Sequence, residues 1–148
     1  MSTPSYKTLL ENLQDVLQDS LSLSDVSDDN IFIGGLIGQI YQWPAITIEI
    51  TEGASNWRAT HQLEDTLSIV IGIYTEYMDY LTGVQAIQDL IKNIQDTIQA
   101  DRKISSSALG VRTTEMGRFR FGISVYKDTP LFGGELELTV YINYTPNA

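Results

Sequence analysis

Hydrophobic positions along this chain recur with two periods, and the places where the period changes predict its elements. Over residues 4–19, Tyr6, Leu9, Leu10, Leu13, Val16 and Leu17 fall at helical spacing and form one apolar stripe. Glu11, Asp15 and Asp19 leave the other side acidic. Thr3 is the expected N-cap, with Pro4 at the first helical position, where a missing N–H costs nothing. Serine and aspartate in SLSLSDVSDDN, residues 20–30, bond to nearby backbone and predict a loop. A short strand, IFI at 31–33, halts at Gly34 and Gly35. The stretch Leu36–Trp43 fits neither period, and Pro44 ends it.

Alternation then takes over. Ile46, Ile48 and Ile50 oppose Thr47, Glu49 and Thr51, which predicts a half-buried strand over 45–51. Residues 52–60 read as a connection. A long extended segment covers 61–77, with Leu63, Leu67, Ile69, Ile71 and Ile73 on one parity and Val70, Gly72 and Tyr74 on the other. Strands usually run about 5–6 residues, so this one is expected to bend, with Gly72 the candidate bulge, and to protrude from the body. Helical spacing returns over 79–100, where Val84, Ile87, Ile91, Ile94 and Ile98 make a stripe behind an Asp79 N-cap. Residues 101–113 read as a loop. Phe119, Phe121, Ile123 and Val125 then alternate with Arg118, Arg120, Gly122 and Ser124, and Leu136, Leu138, Val140 and Ile142 with Glu135, Glu137, Thr139 and Tyr141. KDTPLFGG joins these two strands as a hairpin loop longer than the tight two-residue kind. The paired glycines at 34–35 and 133–134 read as turns. The expected fold is a single α+β domain over 1–148: a mostly antiparallel β-sheet with two main helices packed on one face, in the order α-β-β-β-α-β-β.

Composition narrows the function. The chain has 148 residues and no cysteine, which removes a disulfide scaffold, a zinc-thiolate site and a cysteine nucleophile. A single histidine removes any multi-histidine metal site. The N-terminal residues lack the apolar core of a signal peptide, and the longest apolar run falls far short of a membrane span. Net charge is −10, which argues against general affinity for nucleic acid. Its distribution is uneven. Residues 1–101 carry most of the 19 acids against Lys7, Arg58 and Lys92, whereas residues 102–127 carry Arg102, Lys103, Arg112, Arg118, Arg120 and Lys127 against Glu115 alone.

No nucleophile elbow, phosphate-cradling loop or dinucleotide fingerprint is present. His61 and Glu64 stand three apart on a strand and face opposite sides. Asp25, Asp28, Asp29 and Asn30 lack the alternate spacing and closing glutamate of a calcium loop. Glu64 and Asp65 are half of a possible carboxylate dyad with no second half to place. The expectation is a chain that is not an enzyme and needs no cofactor or metal. Trp43, Trp57 and eight tyrosines, several near strand ends, are the residue types that anchor protein interfaces.

The whole pattern resembles one family. An N-terminal amphipathic helix precedes PAITIEI; LEDTLSIVIGIYTEYMDY runs into the helix VQAIQDLIKNIQDTIQAD; a serine-rich loop leads to the hairpin FRFGISVYKDTPLFGGELELTVYINY. In element order and style this is similar to the tail terminator, or tail completion, proteins of long-tailed bacteriophages. The resemblance implies a virion structural protein, assembled in the host cytoplasm and located in the tail or neck. Six copies would form a hexameric ring that caps the tail tube, stops its polymerisation and meets the head-side connector. Its partners would be the tail tube protein, the head-tail connector protein and, in a contractile phage, the tail sheath. DNA would pass through the lumen unread, and no membrane would be involved. The other readings are a different neck, connector or minor tail protein, or a soluble binding module. A ring needs two unlike patches on each subunit. For these the charge pattern nominates Arg112, Arg118 and Arg120 on one side and Glu49, Glu64 and Asp65 on the other, with Trp57 and Arg58 as partner contacts.

Overall fold

The computed structural model describes residues 4–35, 42–76, 79–104, 110–126 and 128–146, with the backbone alone described at 124 and 126. Ser5 caps the first helix, α1 (Tyr6–Gln18), where its hydroxyl accepts from the Thr8 N–H at 3.2 Å. This moves the helix start two residues past the expected cap, Thr3, which lies outside the described residues. A serine side chain serves a helix N-terminus as well as threonine does, and Pro4 is left before the cap. Leu9, Leu13 and Leu17 are fully buried. Two single 3-10 turns, Leu21–Leu23 and Asp28–Asn30, fill the serine–aspartate loop.

Five strands follow in one sheet: β1 (Ile31–Ile33), β2 (Ala45–Ala59), β3 (Gln62–Glu76), β4 (Val111–Tyr126) and β5 (Thr129–Tyr144), with α2 (Tyr80–Ala100) between β3 and β4. The spatial order is β1-β2-β3-β5-β4. β1 runs parallel to β2, and the other pairings are antiparallel, so the α+β sheet is mixed. Gln14 on α1 donates to the Ile31 carbonyl at 2.7 Å and ties the short edge strand to its helix.

Both helices lie on one face. Ile46 and Ile48, Leu67 to Ile73 in alternation, and Leu136 to Ile142 in alternation point to that face and join the leucines of α1 and the isoleucines Ile87, Ile91, Ile94 and Ile98 of α2 in a single core. Isoleucine gives up a few tenths of a kcal/mol of helix propensity. Full burial returns about 1.5–3 kcal/mol for each side chain, so packing decides the conformation.

Six expectations change. Residues 52–60 are not a connection: β2 continues through them, paired with β3 as far as Ala59–Gln62. β3 therefore does not protrude, since β2 and β5 flank it along its whole length. Gly72 makes no bulge, and it pairs in register with Thr47. Its missing side chain serves close packing, because a Cβ there would stand 2.4 Å from the Thr47 hydroxyl. The bulges fall instead on the edge-side strands, at Thr51 and Arg58 of β2 and at Arg112 and Gly117–Arg118 of β4. The loop before β4 ends at Gly110, and β4 starts at Val111. The closing hairpin is tight, with Tyr126 paired to Thr129 and Asp128 at φ 65°. Gly133 and Gly134 consequently lie inside β5.

Candidate interaction surface

Bulges re-aim side chains, and here two of them aim at one carboxylate. Arg112 and Arg58 are the extra residues of their strands, on opposite sides of β3. Arg112 Nε lies 2.9 Å from Glu64 Oε2, and Arg58 Nη1 lies 3.8 Å from Glu64 Oε1. The Glu64 side chain is only 8% exposed, so the two guanidinium groups replace most of its water. The Arg112 guanidinium also stacks over the Tyr141 ring at 4.8 Å. Tyr141 donates to Glu115 at 3.2 Å; burial and that carboxylate push its phenol above the usual range.

Asp65, the next residue, points to the helix face and is almost wholly buried. Glu64 and Asp65, read as half of a possible carboxylate dyad, are sent to opposite faces of the sheet, because a strand alternates its neighbours. Hydroxyl groups surround Asp65: Tyr6 donates to Oδ2 in a short hydrogen bond, Ser55 to Oδ1 at 2.5 Å and Tyr144 to Oδ1 at 3.2 Å. Burial first, then the hydrogen bond and charge of Asp65, raise the Tyr6 phenol well above its ordinary value; Tyr144 rises for the same reasons. A phenol whose folded pKa lies above its unfolded value of 10.0 lends stability that is complete below that pH and is lost above it. Urea midpoints are therefore expected to hold from pH 7 to 9 and to fall beyond pH 10. Tyr6→Phe should be less stable at pH 8 by about 1.5–3 kcal/mol, the worth of a bond to a charged group, with a flatter alkaline decline. A parallel decline in both proteins would refute the assignment.

The sheet face opposite the helices carries no layer among the described residues. On it Arg120 Nη2 lies 3.0 Å from Glu135 and 3.5 Å from Glu137, and Arg118 Nε lies 3.6 Å from Glu137. Both arginines are thus paired inside their own hairpin, and Arg112 inside its own sheet, so the basic segment holds carboxylates of its own. These pairs are exposed, with the Arg118 side chain at 84%, and contribute at most about 1 kcal/mol each. Glu49, also nominated, is exposed on the same face and has no ion-pair partner among the described residues. Trp57 is 65% exposed and lies across from Leu63 near the β2–β3 tip. A shallow groove of about 230 Å³ opens on this face between Tyr74, Arg120 and Glu135.

Phe119, Phe121, Ile123 and Val125 form an apolar row on β4 that becomes more exposed along the strand, from 42% at Phe119 to 70% at Val125. Their alternation marks them as facing inward, and they do point to the helix side, but α2 covers only the start of the row, where Lys92 stands 5.0 Å above the Phe119 ring. Strand order was the missing information: β4 is the last strand of the sheet. An exposed apolar row on an unpaired edge is a protein-association surface unless something covers it.

No helix among the described residues is long and apolar enough to cross a membrane. No protein-family model matches the chain, and no curated protein matches it in sequence.

Proposed function

We propose that this chain is a virion assembly protein of a long-tailed bacteriophage, a tail terminator whose copies close into a hexameric ring on the end of the tail tube. The observation that carries this reading is the exposed apolar row on edge strand β4, in a sheet whose opposite edge, β1 with the outer half of β2, has no further strand paired to it among the described residues. A chain with two unlike free edges suits head-to-tail association, and rotation closes such association into a ring. The element order of the sheet and helices supports the same reading through the family resemblance. The buried carboxylates Glu64 and Asp65 hold strands and α1 together, which suits a structural part.

In this role the protein stops tube growth, presents a landing surface to the head-tail connector protein and leaves a lumen for DNA. In a contractile phage the sheath would meet its outer side. Electron microscopy of tail tubes polymerised with and without the chain is the test. Tubes of defined length bearing a terminal collar are expected in its presence and overlong tubes in its absence. Equal length distributions would overturn the reading, and binding to the connector but not to tube ends would move the protein to the head side of the joint.

A further inference from the structure

The outer half of β4 lacks what normally keeps an edge strand unpaired. From Phe119 to Tyr126 it runs in register with β5 without a bulge, and it carries neither proline nor lysine there. No strand pairs with its outer side among the described residues. Its charges do not guard it, since Arg118 and Arg120 are already held by Glu135 and Glu137 of the same hairpin.

On the helix side the covering layer stops short of this edge. A Cβ on Gly83 would meet Phe132, which pairs with Ile123; Ile87 sits on Gly134, which pairs with Phe121; Lys92 lies over Phe119. α2 therefore lies over β5, antiparallel to β4, and flanks the apolar row without covering it. Leu81, about three turns before Lys92 and so on the same side of the helix, is 79% exposed. With the row it offers on the order of 500 Å² of apolar side chain, which together with the strand's main chain approaches the roughly 800 Å² that each partner gives to a stable interface.

The row itself names the occupant. Its four members are spaced evenly about Gly122. A twofold axis through Gly122, perpendicular to the sheet, sets β4 antiparallel to the β4 of a second copy and keeps all the helices on one side. Phe119 then stands opposite Val125 and Phe121 opposite Ile123, so each member of the row meets a member of the other. Arg120 falls opposite residue 124, not opposite its own counterpart. The two α2 helices come to lie three strand spacings apart, roughly 14 Å. Helices in direct contact lie about 8–10 Å apart, and the side chains of the two rows fill the difference.

We infer that a second copy of this chain docks on the β4 edge through its own β4, about a twofold axis at Gly122, with the two apolar rows packed side by side between the α2 helices. The pair goes beyond the ring reading and does not rest on it. Two copies joined in this way have used the β4 edge, so they part before a ring neighbour takes that edge.

The chain has no cysteine, so a single introduced thiol reports the axis. A Cβ on Gly122 meets nothing within 4 Å, and Gly122→Cys should fold as wild type does. A short bismaleimide is expected to link Gly122→Cys into dimers at least tenfold faster than Lys7→Cys, a control whose native side chain is 89% exposed on α1. Sedimentation velocity of wild type should show a monomer–dimer equilibrium that stops at two copies, and Ile123→Lys should weaken it by about tenfold. Should Gly122→Cys lose its fold by circular dichroism, Ile123→Lys decides. Equal linking rates at the two positions, a monomer at every concentration, growth past two copies, or wild-type dimerisation by Ile123→Lys overturns the pair. Tube length is scored separately: a chain that limits tubes but never dimerises alone keeps the ring reading and loses this pair, and a dimer that leaves tube length unchanged does the reverse.

Discussion

Arg112→Met should destabilise the protein by about 3 kcal/mol, read as a lower urea midpoint at unchanged slope. The cause is the carboxylate left behind. Glu64 is 8% exposed at its side chain, and Arg112 supplies the close charged bond, at 2.9 Å, among the described residues. Removing one member of a buried pair costs about 3–5 kcal/mol, because the remaining charge is neither hydrated nor paired. Arg58 stays at 3.8 Å, too far for a hydrogen bond but near enough to help, which places the loss at the low end of that range. Arg112→Met with Glu64→Leu should recover most of the loss, since the charge that suffered is gone and the gap is filled. Arg58→Met alone should cost less than half as much. Equal losses for the two arginine variants would mean that Glu64 is solvated and that the bulge at Arg112 serves some other purpose. The same variant separates stability from assembly, because Arg112 lies at the far end of β4 from the apolar row.

How much of this was legible beforehand depends on what each residue answers to. The stripes of α1 and α2 and the parity of Ile46, Ile69 and Leu138 are local periodicities, and the core is assembled from them. Residues 52–59 lack apolar alternation because both faces of β2 are exposed there, and a strand held mainly by its pairing with β3 leaves no hydrophobic signature. Glu64 and Asp65 stood out as charges inside a strand, but the opposite fates of the pair follow from the pleat plus partners as distant as Tyr6 and Tyr144. Arg118 and Arg120 lie on the polar side of β4, as its alternation predicts. Their partners, Glu135 and Glu137, lie on the very next strand, and tight hairpin register brings them across. The alternation of the β4 row predicts a strand but not its exposure, which follows from strand order, and no local pattern encodes that.

Gly134→Val is expected to cost about 3 kcal/mol or more, the upper range for forcing volume into a filled contact. In sequence this glycine looks like a turn residue. In the fold it lies within β5 directly under α2, where a Cβ would stand 2.6 Å from Ile87 Cγ2 and 3.1 Å from the Arg120 carbonyl oxygen of β4. The helix can sit that low only because β5 offers no side chain at this point. The smaller change Gly134→Ala separates the two obstructions. Alone it should cost about 2 kcal/mol, since the clash with Ile87 outweighs the roughly 0.5–1 kcal/mol that alanine gains over glycine in chain entropy. Ile87→Ala alone opens a cavity and should cost about 2–5 kcal/mol. In the Ile87→Ala background Gly134→Ala should be near neutral, because the new methyl group enters the space that Ile87 vacated. The coupling of about 2 kcal/mol is then the direct measure of the helix–sheet contact. Additive losses would place α2 elsewhere on the sheet. Assembly ought to follow the same cycle: α2 rests on β5 and β4 together, so a helix lifted by Gly134→Val leaves the β4 edge unsupported, and self-association should weaken in that variant and return with the relief supplied at Ile87.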